Sequence, residues 1–244
     1  MKKLLVFTIL LLVGCSPSQL RREDRHFVAK DELNKMMKTF YINPQPDLVL
    51  AYFDEINKQV KDPNSRFLMV PFAGEVFKKY PTEAIMWSHR MLQWKWQAVP
   101  ETVFWSALKY SELKVFNEVK EKALVDASNQ TKNAIVMAEK LDRKEYYITT
   151  TPKEVQEVDS LWGRFFATGN KVALQKIISG LEIKNKSSFA ETNVVTVITW
   201  SITANAKEDP NLLKMLKTEL KGSYPKQVKD SLKKIIASVE SGSL

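Results

Sequence analysis

From Asp47 onward the apolar positions return every three or four residues, the period of an α-helix with one buried face. Leu48, Tyr52, Ile56 and Val60 form one stripe, with Val49 and Phe53 beside it. Asp62-Pro63-Asn64-Ser65 reads as a turn, and Phe67 to Tyr80 predicts a second helix that Pro71 delays or kinks. Tyr80-Pro81-Thr82-Glu83 opens a third helix, with Ala84, Trp87, Met91 and Trp94 at helical spacing. Pro100-Glu101-Thr102 opens a fourth, with Val103, Phe104 and Ala107 on its inner side.

The second half is punctuated more sharply. Thr151-Pro152-Lys153-Glu154 combines a capping threonine, a proline for the first helical position and a capping-box glutamate. Val155, Val158, Trp162 and Phe165 then recur at helical spacing until Gly169-Asn170, and Asn170 can cap a helix lined by Leu174, Ile177, Ile178 and Leu181. Ser188-Phe189-Ala190-Glu191 is another capping-box pattern. Asp209-Pro210 starts a helix holding Leu213, Leu216 and Leu220, which Gly222 ends, and Pro225 begins the last, with Val228, Leu232, Ile235, Ile236 and Val239 inward.

Val194 to Thr199 is rich in β-branched residues and could form a strand. The preceding capping box and the spacing of Val195, Ile198 and Ile202 favour a helix instead. Tyr146 to Thr150 suits a short extended link. With seven glycines and no Asn-Gly or Asp-Gly hairpin turn, a β-rich fold is disfavoured. The expected class is all-α: one helical domain over residues 31–244, built as an irregular bundle or as a solenoid-like stack of antiparallel hairpins. A faint internal echo links Trp87-Ser88, Trp105-Ser106 and Trp200-Ser201, at spacings too irregular for a named repeat.

The first fifteen residues carry a different pattern. Lys2 and Lys3 precede the apolar run Leu4 to Val13, and Leu12-Val13-Gly14-Cys15 ends it. The run suits a signal-peptide core better than a membrane-spanning helix. The ending resembles the lipobox of bacterial lipoproteins, cut by signal peptidase II between Gly14 and Cys15. The resemblance implies that residues 1–14 are removed and that Cys15 carries a diacylglyceryl thioether and usually an acylated amino group. One chain binds membrane marginally at ~0.8 kcal/mol per buried methylene, whereas two or three hold durably. Residues 15–30, from Ser-Pro-Ser-Gln to the charged run after Leu20, read as a flexible tether. In a Gram-negative host Ser16 rather than aspartate after the cysteine implies the outer membrane, with the domain facing the periplasm.

Composition narrows the partners. Hydrophobic and charged fractions of 44% and 27% are those of a globular protein. Cys15 is the only cysteine, so a lipidated chain keeps no thiol for a disulfide. The formal charge is +9, and about +7 without Lys2 and Lys3. Export removes nucleic acid from the expected partners and leaves acidic envelope surfaces, such as lipid headgroups and anionic glycans. Residues 207–240 hold eight lysines against five acids, but alternation with apolar residues fits a solvated helix face as well as a patch.

Catalytic chemistry is thinly represented. His26 and His89 are the two histidines, and no His/Cys/Asp spacing suits a metal, so neither metal nor cofactor is expected. No Gly-x-Ser-x-Gly elbow, Walker loop or Gly-x-Gly-x-x-Gly occurs. Glu83, Glu101, Glu154 and Glu191 fall in first helical turns, where their charge complements the helix dipole; any of them could alternatively serve a wall-cleaving enzyme. The aromatic concentration is more suggestive. Trp87, Trp94, Trp96 and Trp105 lie within nineteen residues. Trp87 and Trp94 share a helical face and suit the core, whereas Trp96, pointing elsewhere, could form a docking surface with Arg90, Lys95 and Gln97. Burial of both faces between neighbouring helices is the competing reading.

Leu161-Trp162-Gly163-Arg164-Phe165-Phe166-Ala167-Thr168-Gly169-Asn170 resembles a Trp-Gly-x-Phe-Phe-x-Thr-Gly signature of all-helical bacterial proteins to which no activity is attached. Its residues suit close packing at Gly163 and a helix stop at Thr168-Gly169. The expected role is a lipid-anchored envelope module that binds or scaffolds other envelope proteins. The alternatives are a wall-modifying enzyme with a catalytic glutamate and a carrier of small ligands or lipids. A deep apolar cavity would favour the carrier, a cleft with a buried glutamate the enzyme, and a broad groove the scaffold.

Overall fold

The structure is a computed structural model and describes residues 30–182 and 189–242. The signal segment 1–14, Cys15, the tether through residue 29 and Ser188 of the expected capping box lie outside the described residues. Among the described residues there are twelve α-helices, three short 3-10 turns and no strand. The first half holds α1 (Lys30–Thr39), α2 (Val49–Gln59), α3 (Arg66–Lys79), α4 (Pro81–Met91), α5 (Ala98–Tyr110), α6 (Val115–Leu124) and α7 (Asn129–Glu139). The second holds α8 (Val155–Thr168), α9 (Lys171–Ser179), α10 (Phe189–Glu208), α11 (Pro210–Glu219) and α12 (Lys226–Ser241).

Helix α3 sits at the centre, where a helix must be apolar on every side. Val70 to Gly74, Val76 and Phe77 are all buried. It packs on α5 and on α8, while α7 covers α5, α9 covers α8, and α10 gathers α11 and α12. A hairpin stack touches only its neighbours along the chain. The α3–α8 contact joins distant segments, so the architecture is an irregular bundle. Glycine makes that contact possible: a Cβ on Gly163 would stand 2.2 Å from the Leu68 carbonyl oxygen. Trp162, next to it, stacks on Phe166 at 5.2 Å and donates its indole N–H to Ser201 Oγ of α10 at 3.0 Å.

Side chains set several boundaries. Asn170 Oδ1 accepts from the Ala173 N–H to cap α9, directly after Gly169 ends α8 with φ +65°. Asp209 caps α11 through the Asn211 N–H and also accepts from the Tyr41 hydroxyl at 2.6 Å, which ties the turn after α1 to the α10–α11 corner.

Local expectations shift in places. Helix α8 begins at Val155, not Pro152. Pro152 is buried against the end of α9, and Glu157 rather than Glu154 reaches back, accepting from the N–H groups of Lys153 and Glu154. Helix α3 starts at Arg66 and carries Pro71 in its interior. Helix α5 starts at Ala98, two residues before Pro100. Val194 to Thr199 is helical, with Val194 rather than Val195 fully buried. The inner face of α11 is Leu212, Leu216 and Glu219, one residue before the expected leucine stripe at two of three positions.

Candidate functional site

The chain leaves α4 after Met91, so Trp94 is not the next position on the Trp87 face. It lies half-buried in the connection to α5, its ring 5.2 Å from that of Trp96. In a helix those two residues would point apart. The irregular backbone lets them meet.

Trp96 is held from several directions. Its indole N–H donates to the Met91 carbonyl at 3.0 Å, and its ring stacks on Phe104 of α5 at 5.5 Å with 13° between planes. Asn57 of α2 clamps the backbone on both sides: Nδ2 donates to the Lys95 carbonyl at 2.9 Å, and Oδ1 accepts from the Gln97 N–H at 2.8 Å. Gln130 Nε2 donates to the Trp96 carbonyl at 3.0 Å. An indole fixed in this way meets a ligand without first losing rotamer freedom.

Trp96 and Gln130 help to wall a cleft of about 460 Å³ between the α4–α5 connection, the first turns of α5 and the α6–α7 corner. Trp94, Trp96, Phe104 and Trp105 supply its aromatic surface, and Lys95, Lys122 and Asp126 stand on its rim. Lys122 is already engaged by Glu118 at 2.8 Å, an interaction that holds the Glu118 carboxyl below its usual range.

Glu101 lines the cleft and is 2% exposed. Its Oε2 accepts from Gln130 Nε2 at 2.7 Å. Among the described residues Oε1 accepts no hydrogen bond, and no cation pairs with the carboxylate. The two other acids buried to this degree are better supplied. Asp209 has the Tyr41 hydroxyl and the Asn211 N–H, while Glu219 takes the Tyr224 hydroxyl at 2.7 Å, Gln175 at 3.2 Å and Lys171 at 3.4 Å.

Of the residues expected to dock a partner, Trp96 and Lys95 meet at this cleft, whereas Arg90 lies exposed on the last turn of α4 and does not line it. Glu101 stands in the first turn of α5, as expected, and is there a buried member of the cleft. The other candidate acids are less enclosed: Glu83 and Glu191 are partly exposed, and Glu154 is fully so. His89 faces Glu118 at 3.5 Å. Asn57 and Gln130 carried no sequence signal, because an exposed amide on a helix is common and their role arises only when α2 and α7 approach the connection.

Two other surfaces stand out. A depression of about 360 Å³ is lined by Arg143, Tyr147 and Glu157, but Arg143 is paired with Glu112 at 2.8 Å and Glu157 is spent on backbone N–H groups. On α10, Phe189 and Trp200 lie about three turns apart on one face and are 85% and 69% exposed. Among the described residues no helix is long and apolar enough to cross a membrane, and no group of three His, Cys, Asp or Glu could hold a metal ion. Compared with protein-family models, curated proteins and solved structures, the chain matches none.

Proposed function

We propose that this chain is a lipid-anchored envelope protein, held at the membrane through Cys15, whose helical domain binds another envelope protein at the aromatic cleft. The observation that carries the reading is the immobilised Trp96, stacked on Phe104 and bonded through its ring and flanking backbone at the mouth of a cleft. Aromatic anchors of this kind dominate interface energetics when they are fixed and surrounded by polar groups. The charged rim and the buried Glu101 carboxylate favour a polar or charged occupant over a lipid. In a Gram-negative host the reading puts the domain on the periplasmic side of the outer membrane.

Chemical crosslinking of intact cells, followed by identification of the adduct, tests this function. The wild-type chain should give a discrete adduct that weakens when Trp96 is changed to Ala. An adduct unaffected by that change would move the interface elsewhere.

A second reading follows from one observation, the burial of Glu101 in a cleft. A single carboxylate can serve as an acid or base in cleavage of envelope glycans. Release of soluble fragments from peptidoglycan by the wild-type domain, but not by Glu101→Gln, would favour this enzyme over the binding module.

A further inference from the structure

We infer that the cleft receives a cationic side chain, lysine or arginine, from the protein partner, with Glu101 as its counter-charge and Trp94 and Trp96 as its aromatic wall. The inference rests on the reading of the cleft as a binding site and adds the chemistry of what enters it.

A carboxyl group with little access to bulk water has to find partners for its oxygens in hydrogen bonds or an opposite charge. Asp209 and Glu219 find them within the fold. Glu101 has a single amide donor on Oε2, and its remaining acceptor capacity is unfilled by any described residue. A lysine ammonium or arginine guanidinium supplies both the donor and the charge, with shorter and stronger bonds than a neutral hydroxyl gives.

The walls support the same guest. One face of Trp96 is taken by Phe104, and the remaining surface of Trp94 and Trp96 along the cleft is apolar and suits the methylene stem of lysine or arginine. On the rim, Asp126 adds a second negative group and Lys122 is neutralised by Glu118. Lys95 is the opposing charge. It is exposed, so salt and water screen it far more than they screen the buried Glu101.

The test uses the folded chain and the change in its tryptophan emission on titration. The probes are Nα-acetyl-lysine amide, Nα-acetyl-arginine amide, the neutral analogues norleucine and citrulline in the same blocked form, and chitotriose as a neutral saccharide. Lysine and arginine should each bind at least tenfold more tightly than their neutral analogues. Added salt should reduce the difference, and Glu101→Gln should abolish it while the melting curve still shows a folded chain. Discrimination in the wild-type chain does not depend on any variant folding. Equal binding of lysine and norleucine, preferential binding of chitotriose, or no response to either cation at tens of millimolar would each overturn the inference. A partner adduct that weakens with Trp96→Ala alongside any of these results would leave the binding reading standing and remove only the cationic guest.

Discussion

Replacing Gly163 by Ala tests the packing that holds the cleft's scaffold together. The new Cβ would lie 2.2 Å from the Leu68 carbonyl oxygen and 3.0 Å from Pro71 Cγ. Ordinary contact begins near 3.4 Å, so α8 must retreat from α3 by about 1 Å. Neither obstacle can rotate away, because one is backbone in the central helix and the other is a ring within it. A gap of that size forfeits about a quarter to a half of each dispersion contact across the interface. Overpacking of this kind costs about 1–3 kcal/mol, and the retreat of a whole helix places this case at the upper end. Alanine's better helix propensity returns about 1 kcal/mol. The expected net loss is about 2 kcal/mol. Urea unfolding followed by tryptophan fluorescence should show a lower midpoint with an unchanged slope. A midpoint equal to or above that of the wild type would refute the close approach of α3 and α8.

Three further predictions concern other parts of the chain. Burial pushes the Asp159 carboxyl up to about 6, against about 3.9 unfolded, so the folded chain holds this proton more tightly. Its contribution to stability is therefore full below about pH 4 and is lost as pH rises through 6. Asp159→Asn should accordingly stabilise by about 1–2 kcal/mol at pH 7.5 and leave pH 4 unchanged, as read by melts at both pH values. Asp209→Ala removes the α11 cap and leaves the Tyr41 hydroxyl without its acceptor. A loss of about 2 kcal/mol is expected in equilibrium unfolding, and Tyr41→Phe should cost less, because it leaves the cap intact. Cys15→Ala should accumulate as unprocessed precursor and take up no labelled palmitate. Normal processing of that variant would exclude the lipid anchor.

The second half of the fold was more legible than the first. Gly169-Asn170 and Asp209-Pro210 are helix punctuation with a local mechanism, and each stands at the boundary its chemistry implies. The β-branched run from Val194 to Thr199 is helical because burial of Val194, Ile198 and Ile202 against the bundle outweighs intrinsic strand preference. Helices α6 and α7 gave little warning, since their buried faces are as slight as Val115, Phe116 and Val119 or Ala134, Ile135 and Ala138. The cleft depends on such contacts. Trp96 and Lys95 were visible as an aromatic and basic cluster, but the cleft exists because α4 stops at Met91, a boundary that Trp94 at the next helical position disguised. Glu101 had the spacing of an ordinary first-turn acid, and only the approach of Gln130 from α7 turns it into a buried, singly bonded carboxylate.

We propose that the domain meets its partner at this cleft. Site-specific photocrosslinking in intact cells tests it most directly, with the reactive residue placed in turn at Lys95 on the cleft rim and at Thr199 beside exposed Trp200 on α10. A discrete adduct from position 95, weakened by Glu101→Gln and absent from position 199, is the expected result. An adduct from position 199 alone would contradict the claim and move the interface to α10.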